Sequence, residues 1–175
     1  MKIRDIERLL AANGIAKSKM DAVTRRLRES KKLPAAGRGV NAPDATTVQA
    51  AKVLIATAGS AKGVSADKRL MVLRNLKSGT GAGTRLSRRI KALLEGDAQL
   101  KNLIECRIGR NVREASFHFD DGSVETFVMK QPRDYSTRLR TEGVIPGDLM
   151  RLLADLLQRR ISVPEAGRDE EPDSD

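Results

Sequence analysis

Apolar residues recur every three or four positions through the first half of the chain, which is the spacing of amphipathic helices. They predict a first helix over residues 3–12, and Asn13-Gly14 supplies its C-terminal stop. A second helix is predicted over residues 18–32, with Ser18 as its N-cap. Its apolar side consists of Met20, Val23, Thr24 and Leu27. Two short helices joined by a tight turn that contains glycine predict a helix-turn-helix.

Three more helices are predicted after Pro34, which ends the second helix because the residue before a proline disfavours helical dihedrals. The third begins at a cap on Asp44 or Thr46, and the fourth begins at Ser65. The fifth follows a glycine-rich segment and turns four apolar residues inward. Its basic residues are expected to point mostly outward, and they are Arg85, Arg88, Arg89 and Lys91.

The alternation of apolar and polar residues changes in the second half and predicts strands over 103–108, 115–119 and 123–129. Asp121-Gly122 predicts a two-residue hairpin turn between the last two strands. Pro146 then begins a C-terminal amphipathic helix. The predicted fold class is mainly α (α+β), with a small antiparallel three-stranded meander after the helical half.

The same pattern divides the chain into four segments. Residues 1–77 are predicted to form a helix-turn-helix DNA-binding domain, and residues 78–84 a glycine-rich linker. Residues 85–162 are predicted to form an α+β interaction module, in which the last helix covers the sheet. Residues 163–175 are predicted to be an acidic, disordered tail.

The charge of the chain is unevenly distributed along it. The net charge of the 175 residues is +10, but residues 1–93 carry +15, residues 94–163 are neutral, and residues 164–175 carry −5. A positive charge confined to one half favours contact with a polyanion over a merely cationic surface. The acidic tail is expected to screen the basic half against non-specific DNA.

Reactive residues are too few to support most kinds of catalytic or metal site. One Cys and one His exclude a four-ligand zinc site and an intrachain disulfide, so no metal or cofactor is expected. Cys106 is expected to be buried, and His118 to be exposed on a strand. The segment GTGAGT lacks the lysine of a phosphate loop. Because the reactive residues are so few, we expect that the protein is not an enzyme. No apolar run reaches the length of a membrane span, so we expect a cytoplasmic protein that is associated with the nucleoid and not with membranes.

The second helix supplies most of the predicted DNA contacts. Arginine can bridge two acceptors of guanine in the major groove, which makes Arg25, Arg26 and Arg28 candidates for base or phosphate contact. Lysines hold the phosphates without reading the sequence. The complete predicted DNA-binding set is Lys17, Ser18, Lys19, Thr24, Arg25, Arg26, Arg28, Lys31, Lys32 and Arg38. The alternative is an ordinary solvated amphipathic helix.

Residues 3–58 resemble the winged helix-turn-helix of MerR-type regulators and phage excisionases. The resemblance lies in the helix order, the exit at Leu33-Pro34 and the loop Gly37-Arg38-Gly39. It implies a basic wing that touches the DNA backbone or minor groove through Arg38; the alternative is a plain flexible loop. The chain as a whole is loosely similar to small regulators and packaging proteins of bacteriophages and prophages.

We therefore expect a sequence-specific DNA-binding regulator of transcription from a bacterium or bacteriophage, which acts non-covalently on double-stranded DNA. A homodimer or higher homo-oligomer is expected because two half-sites bind more tightly than one. The alternative is a phage DNA-packaging protein, similar to a small terminase subunit, or an architectural DNA-binding protein. A further alternative is a module that binds RNA or the transcription machinery.

Overall fold

The computed structural model describes residues 1–35, 43–61, 65–79, 83–129 and 141–159. Within them the fold is α+β, with six α-helices and one five-stranded antiparallel sheet. The helices are α1 (Ile3–Ala12), α2 (Lys17–Glu29), α3 (Thr47–Gly59), α4 (Ala66–Leu73), α5 (Leu86–Leu94) and α6 (Gly147–Gln158). The strands are β1 (Lys77–Ser78), β2 (Leu103–Gly109), β3 (Glu114–Phe119), β4 (Val124–Val128) and β5 (Glu142–Pro146), and a 3-10 helix spans Ala98–Asn102.

The first two helices exist as predicted, but the expected start and stop of α2 are wrong. Its N-cap is Ala16, which has no capping side chain, so Ser18 lies inside the helix. Its end is a backbone motif and not Pro34: the amide of Lys32 donates to the carbonyl of Leu27 (2.8 Å), and that of Lys31 donates to Arg28 (2.9 Å). This Schellman arrangement requires a left-handed residue, and Lys31 adopts it with φ of 57°.

The left-handed Lys31 gives a first testable prediction. Replacing Lys31 with glycine should raise the free energy of unfolding by about 1 kcal/mol, because glycine adopts positive φ without the Cβ penalty. Urea denaturation measures the change. Lys31→Ala is the matched control, since it removes the same charge and keeps the penalty. Equal stabilisation by both substitutions would assign the effect to charge instead of conformation.

Helix α3 is the centre of the molecule. Its predicted cap is confirmed at Thr46, whose hydroxyl accepts from the Gln49 amide (3.2 Å), while the Gln49 side chain accepts from the Thr46 amide (3.0 Å). Every residue from Val53 to Gly59 is buried. The helix contacts α1, α2, α4 and α5 as well as β2 and β5. Its alanines allow this close approach on several sides, so α3 has more than the one apolar side that its periodicity indicates.

The sheet has the strand order β1-β4-β3-β2-β5, so the predicted three strands are an incomplete description. The sequence does not reveal the two edge strands, β1 and β5. The hairpin between β3 and β4 exists, but its turn is not the predicted two-residue type. Gly122 has a positive φ (79°), whereas Asp121 does not, and the amide of Gly122 donates to the carbonyl of Phe119 (3.1 Å). This geometry fits a three-residue turn with glycine at its left-handed position.

One hydrophobic cluster runs through the described residues, from Met1 to Leu157. Phe117 and Phe127 contribute an edge-to-face ring pair with centroids 5.4 Å apart. The opposite side of the sheet carries His118, which is half-buried and not exposed as predicted, and its Nε2 lies 2.8 Å from the Ser116 hydroxyl. Cys106 is buried as predicted.

The predicted linker 78–84 is partly ordered by the sheet. Ser78 belongs to β1, and the amide of Gly79 donates to the carbonyl of Thr126 in β4 (2.9 Å), while residues 80–82 lie outside the described residues. The division of the chain into two domains at this point stays a prediction. The tail at 163–175 also lies outside the described residues.

Arg89 does not point outward as predicted but is buried between α5 and β4. It donates to Glu125 and Asp97, each at 2.8 Å, and to the Gln99 side chain. In α6, Leu149, Leu153 and Leu157 are buried on the same core. None of the helices in the described ranges has the length and apolar character to span a bilayer.

Candidate nucleic-acid interface

Helix α2 buries one side against its neighbours and presents the other to solvent. Met20, Val23, Thr24 and Leu27 form the buried side. Thr24 is only 1% exposed, and its hydroxyl donates to the carbonyl of Met20 at 3.0 Å. A side chain in that position has no access to DNA, so including Thr24 among the predicted contacts was wrong.

Two of the three candidate arginines are held by acidic residues of neighbouring helices. Arg26 Nε lies 3.1 Å from Asp67 of α4, and its Nη1 lies 3.4 Å from Glu29. The hydrogen bond with Asp67 raises the pKa of the Arg26 guanidinium. Arg28 Nη2 lies 3.1 Å from Glu7 of α1. These pairs connect α2 to α4 and α1, so both guanidinium groups have a structural partner where the sequence predicts a DNA contact.

The other predicted residues separate into exposed and half-buried groups. Lys17, Ser18, Arg25 and Lys31 are exposed, and Lys17, Arg25 and Lys31 form no ion pair with the described part of the chain. Lys19 is half-buried, and burial together with the nearby charge of Arg110 lowers its pKa. Lys32 is half-buried at the end of α2. Arg38 and its flanking glycines lie outside the described residues, so the predicted wing does too.

A second group of cations, which the DNA-binding prediction did not include, lines a cavity of about 210 Å³ between α3, α4 and α5. We call this cavity the basic cleft. Its charged residues are Lys52, Arg74, Arg85, Arg88 and Lys91, and its other lining residues are Val48, Ala51, Asn75 and Ser87.

The charges of the basic cleft are mostly uncompensated. Arg74, Arg85 and Arg88 form no ion pair with any described residue, while Lys91 pairs with Glu95 at 2.8 Å. No acidic residue is among the described residues that line the cleft. Burial lowers the pKa of Lys52, and the charges of Arg74 and Lys32 lower it further. An anion in the cleft would relieve this accumulation of positive charge.

The basic cleft adjoins the end of the candidate recognition helix. The ammonium group of Lys52 donates to the main-chain carbonyl of Lys32 at 2.9 Å, which joins α3 to the residues that follow α2. The sequence signals for the cleft were the net charge of +8 over residues 41–93 and the predicted outward side of the fifth helix, which included Arg85, Arg88 and Lys91. Lys52 lies within the apolar sequence of α3 and Arg74 directly follows α4, and nothing local indicates that they meet the cations of α5.

The arrangement is suited to binding anions without covalent chemistry. In the described ranges no three His, Cys, Asp or Glu side chains are placed to hold a metal ion. No family model, no curated protein and no solved structure matches this chain. The resemblance to MerR-type regulators and excisionases therefore stays a prediction that rests on residues 3–58 of the chain itself.

Proposed function

We propose that this protein binds double-stranded DNA non-covalently and acts as a sequence-specific regulator of transcription in a bacterium or bacteriophage. One observation carries the proposal: cations without acidic partners among the described residues extend from α2 into the basic cleft. Lys17, Arg25 and Lys31 lie on α2 and its end, and the cleft follows where Lys52 meets Lys32. Cations that have no acidic partner are available to neutralise the phosphates of a duplex, whereas paired charges are not.

The packing of the three N-terminal helices supports the interpretation of α1 and α2 as a helix-turn-helix. Helix α1 contacts α2, and α3 contacts both, so α2 is held on one side and exposed on the other. On the proposed winged arrangement, Arg25 and Ser18 face the major groove, while Lys17 and Lys31 contact phosphates. Arg26 and Arg28 position α2 through their ion pairs, and Arg38 would contact the adjacent backbone from the wing.

The proposal predicts a steep dependence of DNA affinity on salt. If about six phosphates are contacted, the logarithm of the binding constant should fall against the logarithm of salt with a slope near −5. Fluorescence anisotropy with a labelled duplex measures the slope between 50 and 200 mM salt, a range over which about six contacts change affinity roughly a thousandfold. An affinity that does not change with salt would contradict the proposal.

Substitutions on α2 test which residues make those contacts. Lys17→Gln combined with Arg25→Gln should weaken DNA binding about tenfold or more and reduce the salt slope by about 1, because Lys17 contacts a phosphate whereas Arg25 faces the bases. The matched control is Lys68→Gln combined with Lys101→Gln, which removes the same charge from exposed positions outside α2. Equal effects of the two pairs would assign the change to net charge and not to α2.

Selection of bound sequences from genomic DNA separates regulation from packaging. A regulator enriches one inverted or direct repeat, because a dimer reads two half-sites at fixed spacing. A packaging or architectural protein enriches none. Light scattering of the purified protein gives the assembly size, and a ring of many subunits would favour the packaging alternative.

A further inference from the structure

The basic cleft contains more positive charge than its described neighbours balance. Three arginines, one each from the end of α4, the residue before α5 and the first turn of α5, converge with Lys52 of α3. Like charges held together cost stability unless a counter-charge is bound. Among the described acidic side chains only Glu95 reaches a cleft cation, and it pairs with Lys91.

We propose that the basic cleft is a binding site for a phosphoryl group, carried either by a DNA backbone or by a free phosphate ester. Such a site does not depend on whether α2 reads DNA. Guanidinium groups match phosphate oxygens because their N–H donors form a planar fork that binds two oxygens at once. A lysine ammonium adds a point charge to the same anion.

The helices hold the cleft in a defined shape. The hydroxyl of Ser87 donates to the carbonyl of Arg74 at 3.0 Å, and the amide of Leu86 donates to the carbonyl of Leu76 at 2.9 Å, so α5 is tied to the end of α4. On the side of the cleft formed by α3, Lys52 is held by the hydrogen bond that its ammonium group donates to the Lys32 carbonyl. Because these backbones are fixed before a ligand arrives, little ordering of the chain opposes binding.

The chemistry of the lining excludes other classes of ligand. The described lining has no carboxylate to balance a metal cation or an amine. Val48 and Ala51 are the apolar side chains among its described lining residues, too few to enclose a hydrocarbon ligand. Burial and then the charges of Arg74 and Lys32 lower the pKa of Lys52, and an anion bound in the cleft would raise it again.

Pyrophosphate is the first probe, compared with chloride at equal ionic strength. Pyrophosphate should raise the thermal midpoint of the wild-type protein in proportion to the logarithm of its concentration, because a ligand that binds only the folded state stabilises it by mass action. Isothermal titration should give saturable binding. If chloride stabilises the protein equally, or if pyrophosphate shows no saturable binding, a free phosphate ester is not the ligand of the basic cleft.

The test variant is Arg85→Gln with Arg88→Gln, because both side chains are exposed and neither has an ion pair to lose among the described residues. Pyrophosphate affinity should fall about tenfold or more, as expected for the loss of two charge-assisted hydrogen bonds. Lys68→Gln with Lys101→Gln is the control and should keep wild-type affinity. In phosphate-free buffer the cleft variant should be at least as stable as the wild type, since repulsion is relieved.

A short duplex distinguishes the two sources of the phosphoryl group. If the source is the DNA backbone, the cleft variant loses DNA affinity and its salt slope falls by about 2. If the source is a free ester, pyrophosphate binding falls while DNA affinity is unchanged. A wild-type protein that binds pyrophosphate but no DNA would reject the proposed function alone. The phosphoryl site is overturned if the cleft variant changes neither pyrophosphate binding nor DNA affinity relative to the control.

Discussion

Replacing Gly147 with alanine is expected to lower the free energy of unfolding by about 3–4 kcal/mol, near the upper end of overpacking effects. Gly147 is the first residue of α6 and follows β5 directly, where the chain turns against the start of β2. A Cβ at this position would overlap the carbonyl oxygen of Leu103 and lie 2.7 Å from its carbonyl carbon and 2.9 Å from the Ile104 oxygen. All three are backbone atoms, so no side-chain rotation can remove the clash, and Leu103 is held by its pairing with Phe119 and by the Arg151 guanidinium, which donates to its carbonyl at 2.8 Å.

Thermal or urea denaturation measures the loss, and Gly79→Ala is the matched control. A Cβ at Gly79 meets only Thr126 Oγ1, at 3.4 Å, and the Thr126 carbonyl oxygen, at 3.8 Å, so alanine should change stability by no more than about 0.5 kcal/mol. Gly143→Ala should resemble Gly147→Ala, because its Cβ would overlap the Ala58 carbonyl of α3. Equal stability of Gly147→Ala and Gly79→Ala would refute this close packing of α6 on β2.

Replacing Arg89 with methionine is expected to lower the free energy of unfolding by about 2–4 kcal/mol. This loss is somewhat smaller than the loss on breaking a fully buried ion pair, because the carboxylate partners of Arg89 remain partly exposed to solvent. Arg89 is 9% exposed and neutralises both Glu125 and Asp97. Without it neither carboxylate, 21% and 31% exposed, has a paired cation; Arg88 lines the same cavity but forms no ion pair with either. The cost therefore comes mainly from the acids that are left behind.

A second substitution separates this cause from simple loss of packing. Glu125→Gln in the Arg89→Met background should recover part of the stability, as a double-mutant cycle by urea denaturation would detect. Lys91→Met in the same helix removes a partly exposed pair with Glu95 and should cost less than about 0.5 kcal/mol. If Arg89→Met costs no more than Lys91→Met, Arg89 is not the structural residue that its contacts indicate.

Helix positions could be predicted from the sequence because their signals are local. The spacing of Ile3, Ile6 and Leu10 predicts α1 with its observed bounds, and Thr46 is one of the two caps predicted for the start of α3. The end of α2 could not be predicted as reliably. Its stop is a left-handed lysine, and Pro34, the stronger local signal, lies five residues beyond the last helical residue.

The edge strands were missed because pairing, and not propensity, creates them. β1 has only two residues, which pair with Val128 and Phe127 of β4. β5 contains two residues that weaken a strand prediction, Gly143 and Pro146, and it forms because β2 offers a free edge. Neither partner is near in sequence, so no local pattern indicates either strand.

The candidate site was only partly predictable for the same reason. Charge counts indicate the half of the chain that contains the basic cleft, but they could not show which arginines have acidic partners. Arg88 and Arg89 are adjacent, yet one is exposed in the basic cleft while the other meets Glu125, which is 36 positions away. Thr24 lies on the apolar side of α2, where a hydroxyl bonded to its own helix can be buried at little cost.

The central position of α3 limits how this protein can be dissected in the laboratory. A fragment that ends within residues 78–84 would keep α3 but remove α5, β2 and β5, all of which pack on it. Buried residues such as Leu54, Ile55 and Ala58 would then lose part of their cover, and the fragment would tend to aggregate or unfold. A DNA-binding assay on the isolated basic half would then report on a misfolded fragment, so binding studies need the entire chain.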